Sequence, residues 1–145
     1  MRRDWIRLLG LAVIGLIIFL SLCMCESDGF DEEDVNCSEC YEEKFALDNI
    51  VVYFSDDYAD SVIITVYQGF YDNGQEIFSD IITNSPLNLT DVEVDSEYTV
   101  VATYYKGDDK INVIDSDCLK SRFVKGYCDI DCYFVTGGYF DCEIK

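Results

Sequence analysis

The sequence predicts an all-β protein, a small β-sandwich, and three observations predict it. From residue 49 onward, short stretches of alternating side chains recur between turn signals, with no sustained 3.6-residue apolar period. Aromatic residues are plentiful, with eleven Tyr and nine Phe in 145 residues, enough to fill a core. Six cysteines lie in or beside this region, at 37, 40, 118, 128, 132 and 142, as in small stapled domains of oxidising compartments.

The elements follow in order. "NIVVYF" (49–54) reads as the first strand and "SDDYAD" (55–60) as a polar connection. In "SVIITVYQGFY" (61–71), Val62, Ile64 and Val66 face one way and Ile63, Thr65 and Tyr67 the other. "DNG" (72–74) predicts a hairpin, since Asn-Gly accepts the positive φ of a type I′ turn. "QEIFSDII" (75–82) pairs back, "TNSP" turns the chain, and "LNLTDVEV" (87–94) is a further strand. Next, Tyr98, Val100, Ala102 and Tyr104 share one face, with Thr99, Val101, Thr103 and Tyr105 on the other. "KGDDK" (106–110) is a hairpin loop and "INVID" (111–115) its return strand. "LKSRFV" adds another strand, and "CYFVTGGYFDCEIK" reads as a hairpin about Gly137-Gly138. The total is seven to nine strands in roughly 100 residues, a sandwich's complement.

The stretch "VEVDSEYTVVATY" (92–104) resembles the E–F corner and F strand of fibronectin type III and related immunoglobulin-like domains. Val92 stands six residues before Tyr98, and Val100 and Ala102 alternate after it. The family's usual Pro four before the Tyr is Val94, and the strand-B Trp is missing. The resemblance implies an immunoglobulin-like sandwich in which the Tyr98 hydroxyl bonds backbone and fixes a crossing.

The N-terminus speaks to location. Arg2, Arg3 and Arg7 precede the uncharged "LLGLAVIGLIIFLSL" (8–22), a signal-peptide core shorter than the ~20 residues a bilayer span needs. An uncleaved single-span anchor is the alternative. The segment resembles a bacterial lipoprotein signal peptide, in which a cysteine ends the apolar run. Leu20 stands three before Cys23 and Leu22 three before Cys25, though a bulky residue precedes each cysteine. Lipidation at Cys25 leaves six later cysteines, an even number; lipidation at Cys23 leaves Cys25 as an odd thiol. Cys25 is the expected site and Cys23 the alternative. "ESDGFDEED" (26–34) is a solvated acidic tether. It also resembles the acidic run that directs some Gram-negative lipoproteins to the cell surface. The expected organisation is a signal peptide over 1–24, a flexible tether over 25–36 and a Cys-rich domain over 37–145. The whole mature chain is similar to small Gram-negative surface lipoproteins that carry "NCSECY" after an acidic tether and end in a Cys-rich "GGY" hairpin. That resemblance implies an outer-membrane, surface-exposed location and brings no activity with it.

Cys37 and Cys40 form C-x2-C, and Cys128 and Cys132 form C-x3-C, with Cys118 and Cys142 alone. Four thiolates so spaced suit structural zinc. Export from the cytoplasm favours disulfides. Fifteen connectivities are open. The expectation is two bridges from the "CSEC" segment to the "CDIDC" segment, plus Cys118 with Cys142.

Composition excludes several functions. Lys+Arg number 10 against 29 Asp+Glu, a net charge of −19, which repels phosphate backbones; no nucleic-acid partner is expected. The chain has no His, so a Ser-His-Asp triad, a Cys-His pair and a His-ligated metal are excluded. Paired carboxylates occur at Asp56-Asp57, Asp108-Asp109, Asp115 with Asp117, and Asp129 with Asp131. They sit in apparent turns, where Asp serves turn geometry. No loop has EF-hand spacing, although Asp115, Asp117, Asp129 and Asp131 would suit calcium if adjacent. Neither catalytic residues nor a metal or other cofactor are expected. The pairs Phe70-Tyr71, Tyr104-Tyr105, Tyr133-Phe134 and Tyr139-Phe140 each place one ring inward and one outward. Outward rings in a thin sandwich are expected to cover its second face, and a platform for a glycan or a protein is the alternative. The expected function is a non-enzymatic binding or structural module of the envelope, held to the membrane by its lipid. The alternatives are a subunit of a surface fibre or uptake complex, and an acidic-residue hydrolase.

Overall fold

A computed structural model describes residues 36–126 and 129–145. The expected signal helix, Cys23, Cys25, the tether up to residue 35, and Cys128 lie outside the described residues.

The domain is a disulfide-stapled all-β sandwich of eight described strands. They are β1 (Leu47–Phe54), β2 (Ser61–Gln68), β3 (Gln75–Ile82), β4 (Leu87–Glu93), β5 (Ser96–Lys106), β6 (Asp109–Val124), β7 (Cys132–Thr136) and β8 (Tyr139–Cys142). One sheet has the order β4-β1-β8, the other β3-β2-β5-β6-β7. The run β6-β5-β2-β3 and the pair β1-β4 follow the G-F-C-C′ and B-E order of immunoglobulin-like sandwiches. β8 stands beside β1, where strand A lies in that fold, and the two run parallel.

Alternation builds the core. Ile50, Val52 and Phe54 from β1, Val62, Ile64 and Val66 from β2, and Tyr98, Val100, Ala102 and Tyr104 from β5 are buried together. Full burial of each large apolar side chain contributes about 1.5–3 kcal/mol. β5 is central in its sheet, and its opposite face is also covered: Thr99, Val101 and Thr103 are buried. There the hydroxyls pair across strands, Thr99 with Ser116 at 3.0 Å and Thr65 with Ser79 at 3.1 Å.

Two tyrosines of β5 tie the sheets together. Tyr98 donates its hydroxyl to the Glu93 carbonyl at 2.8 Å, the expected corner. Tyr104 donates to the Cys142 carbonyl at 2.7 Å and accepts from Ser55 N–H at 3.0 Å. Burial raises the pKa of both phenols.

Three local expectations are corrected. The "DNG" segment makes no type I′ turn. Gly69 takes the positive φ of +93°, and both Asn73 and Gly74 donate to the Phe70 carbonyl. Gly74 is needed for space, since a Cβ there would lie 2.6 Å from that carbonyl oxygen. Phe70 and Tyr71 therefore sit in the loop and are both exposed. "INVID" and "LKSRFV" are one strand, the 16-residue β6, whose first half pairs with β5 and second half with β7. The Gly137-Gly138 hairpin does not form. β7 pairs with β6, while β8 leaves that sheet for β1. Both glycines have φ +82°. A Cβ on Gly137 would overlap the Cys118 carbonyl oxygen, and one on Gly138 would lie 2.8 Å from Leu119 Cδ1. A double glycine permits a tight turn or a sharp crossing equally well, and close contact with β6 selects the crossing.

Candidate functional site

Where β7 gives way to β8, the segment 36–46 folds back and forms one wall of a cleft. Asn36 Oδ1 accepts from Ser38 N–H at 3.2 Å and Ser38 Oγ at 2.8 Å, capping a short 3₁₀ helix, Cys37–Glu39. Cys40 is disulfide-bonded to Cys132 across 92 residues, with Cα atoms 5.6 Å apart. Tyr41 then exchanges two backbone hydrogen bonds with Tyr133, of 2.9 and 2.7 Å, which covers the outer edge of β7. The segment's return is held by the Lys44–Asp95 ion pair at 2.7 Å and by Val94 N–H donating to the Ala46 carbonyl at 3.0 Å. The Lys44 hydrogen bond, and then the Ser121 N–H, hold the Asp95 carboxyl below its usual pKa.

The cleft has a volume of about 300 Å³. Its aromatic lining is Tyr41, Phe45 and Tyr139; its carboxylates are Glu39 and Asp48; Asn49 adds an amide. Val51, Leu119 and Val135 supply apolar surface. Tyr41 is 51% exposed and Tyr139 67% exposed. The Tyr41 and Phe45 rings meet edge to face, centroids 4.7 Å apart. Among the described residues no lysine or arginine lines the space.

A second concavity of about 290 Å³ lies by the β5–β6 turn, lined by Tyr58, Tyr104, Lys106, Asp109, Lys110 and Ile111. Here the protein fills its own rings. Lys106 Nζ stands 4.6 Å from the Tyr58 centroid and Lys110 Nζ 5.9 Å from that of Tyr105.

The cysteines expected to bridge are partly placed. Cys40–Cys132 is one of the expected links between the two Cys-rich segments. Cys37 and Cys118 are each held in a disulfide as well. Cys142 is not: it is a buried free thiol, which corrects its expected bridge to Cys118. The register explains this. Asp117 bonds Gly138 and Asp115 bonds Asp141, so Cys118 lies level with the start of β8 and Cys142 at its end. Four residues of strand span about 13 Å, beyond the ~7 Å Cα limit of a disulfide. Burial, then the charges of Asp115 and Asp141, push the Cys142 thiol up to about 12. Five domain cysteines then remain, an odd number, and the even count no longer favours Cys25 over Cys23.

The carboxylate pairs do structural work. Asp115 accepts from Ser116 N–H at 2.9 Å and Asp141 N–H at 2.8 Å. Asp117 accepts from Cys118 and Gly138 N–H groups, both at 2.8 Å. Asp115 thus joins β6 of one sheet to β8 of the other, and Asp117 joins β6 to Gly138, the residue just before β8. Asp56 accepts from Ser85 N–H and Asp131 from Gly126 N–H. Among the described residues no group of three or more acidic or sulfur side chains is arranged to hold a metal ion, and no helix is long and apolar enough to cross a membrane.

The sequence pairs Tyr139 with Phe140 as one outward and one inward ring, and Tyr139 is the outward one; Tyr41 and Phe45 are not among those pairs. Their signal was the aromatic spacing within "CYEEKF" (40–45), directly after a cysteine that anchors the segment. Comparison with protein families, with curated proteins and with solved structures finds no match.

Proposed function

We propose that this protein is a non-enzymatic binding module of the bacterial envelope, lipid-anchored near its N-terminus and displayed at the outer-membrane surface. The observation that carries the binding role is the cleft at Tyr41, Phe45 and Tyr139. Exposed rings beside carboxylates, on a segment pinned by a disulfide, form a prepared contact surface. The anchor reading rests on the sequence: a basic start, a short apolar run and cysteines at 23 and 25. The acidic tether then leads into the described domain at Asn36, next to the cleft.

The test has two parts. The intact mass of protein extracted from its host's membranes should equal residues 25–145 or residues 23–145 plus an acylated glyceride, which decides between Cys25 and Cys23; an unlipidated full chain would overturn the anchor. Purified surface glycans and host proteins are then screened against wild type and a Tyr41→Ala/Tyr139→Ala variant. A ligand lost in the variant supports the module. Ligands that bind both equally would remove the cleft from the reading.

A second reading, a subunit of a surface fibre, is favoured by β3. This eight-residue edge strand pairs only with β2 among the described strands, and Ile81 is 58% exposed. Asp80 accepts the Ile81 N–H at 2.7 Å, however, which occupies a donor an added strand would use.

A further inference from the structure

We propose that the cleft at Tyr41, Phe45 and Tyr139 takes a cationic side chain, an arginine or lysine, presented by a partner protein. The proposal rests on the binding-module reading and names its ligand class.

Three observations converge. First, the lining sets aromatic rings beside anions: three aromatic residues stand with Glu39 and Asp48, and among the described residues no basic one joins them. A ring face attracts a cation through its quadrupole, and a carboxylate completes the site by charge and hydrogen bond. Second, the protein shows the same chemistry satisfied internally. At the β5–β6 turn, Lys106 and Lys110 cover the rings of Tyr58 and Tyr105. Among the described residues no lysine or arginine stands over Tyr41, Phe45 or Tyr139, which leaves these rings for a cation that a partner brings. Third, the chain carries −19, which steers a basic partner toward it over distances of about a Debye length. A neutral sugar would stack on the rings and donate hydroxyls to the carboxylates, whereas a cation gains from their charge as well.

The site is prepared for this. Tyr41 is fixed through its backbone to Tyr133 and its ring is braced by Phe45. Little ordering is left for a ligand to impose.

The experiment uses the full-length protein in detergent and three probes: tetraarginine, neutral tetracitrulline and a neutral oligosaccharide, chitotetraose. Binding is read by calorimetry at fixed ionic strength. Tetraarginine should bind and tetracitrulline should not. Tyr41→Ala and Tyr139→Ala should each weaken tetraarginine about three- to thirty-fold, Tyr→Phe at either position should retain most affinity, and Glu39→Gln/Asp48→Asn should weaken it further. Asp108→Asn/Asp109→Asn, which changes the same charge at the other concavity, should leave it within about two-fold of wild type. Both rings are exposed, and an unchanged thermal midpoint confirms folding of each variant.

If both double charge variants weaken tetraarginine alike and the ring variants do not, overall acidity alone attracts the peptide and the proposal fails. If chitotetraose binds with the ring dependence and tetraarginine does not, the cation class fails while the binding module stands. If no probe binds below about 1 mM, while a ligand from the wider screen needs Tyr41 and Tyr139, the cation class again fails alone.

Discussion

The Asp117 carboxylate accepts the backbone N–H of Gly138 at 2.8 Å, across the gap between the two sheets. Its other oxygen holds Cys118 N–H on its own strand. Asp117→Ala leaves two backbone donors unpaired at a half-buried seam. The expected cost is about 2 kcal/mol, seen as a lower urea midpoint with an unchanged slope. Asp108→Ala, in the exposed β5–β6 turn, should stay within about 0.5 kcal/mol. Equal effects at both positions would refute the bridging role.

Gly137 is the more restrictive of two positive-φ glycines. Gly107→Ala meets nothing within 4 Å at φ +58° and should cost about 1 kcal/mol, the conformational penalty alone. Gly137→Ala also drives a Cβ into the Cys118 carbonyl and should cost about 3 kcal/mol or more. Thermal unfolding of the pair checks the ordering.

Removing single hydroxyls tests the ties between sheets. Tyr98→Phe loses one bond to the Glu93 carbonyl and should cost about 1 kcal/mol. Tyr104→Phe loses a bond to the Cys142 carbonyl and also orphans Ser55 N–H; about 2 kcal/mol is expected. Amide exchange at Ser55 should accelerate in the second variant only.

The Cys40–Cys132 bridge closes a loop of 92 residues. The chain-entropy estimate for that length is about 4–5 kcal/mol, an upper value because other bridges already constrain the unfolded chain. Cys40→Ser/Cys132→Ser should lower the denaturant midpoint, with the loss residing in the unfolded state. It should also weaken any ligand that needs Tyr41, since Tyr41 follows the bridge directly.

Alkaline pH should destabilise the domain through Cys142. Its folded pKa is about 12, against 9.0 for the free thiol. The unfolded chain therefore releases this proton first. Stability is full below pH 9 and falls as pH rises from about 9 toward 12. The raised phenols of Tyr98 and Tyr104 act in the same direction. Cys142→Ala should flatten the decline, and native protein at pH 8 should leave this thiol unalkylated until denaturant is added.

What could be read from the chain was local. Alternation in 61–68 and 98–105 is a property of neighbouring residues, so strands, their inward faces and the Tyr98 corner were legible without any partner strand. "QEIFSDII" (75–82) matches β3 residue for residue. What the chain could not show was which groups meet across it. Gly137-Gly138 fits a hairpin and a sheet crossing alike, and only contact with Cys118 and Leu119 separates them. Asp115 and Asp117 carry the same composition as any acidic turn; their role appears once β8 lies opposite. Cys142 could pair or stay free until register set it about four residues along the strand from Cys118, out of reach. The cleft has the same origin. Tyr41 and Phe45 lie nearly a hundred residues from Tyr139 in sequence, and a disulfide with two backbone bonds brings them to one surface. Periodicity is written by each segment alone, while pairing is decided by packing between segments, and the candidate cleft draws on both: Tyr41 and Phe45 meet within one segment, and Tyr139 joins them only through packing.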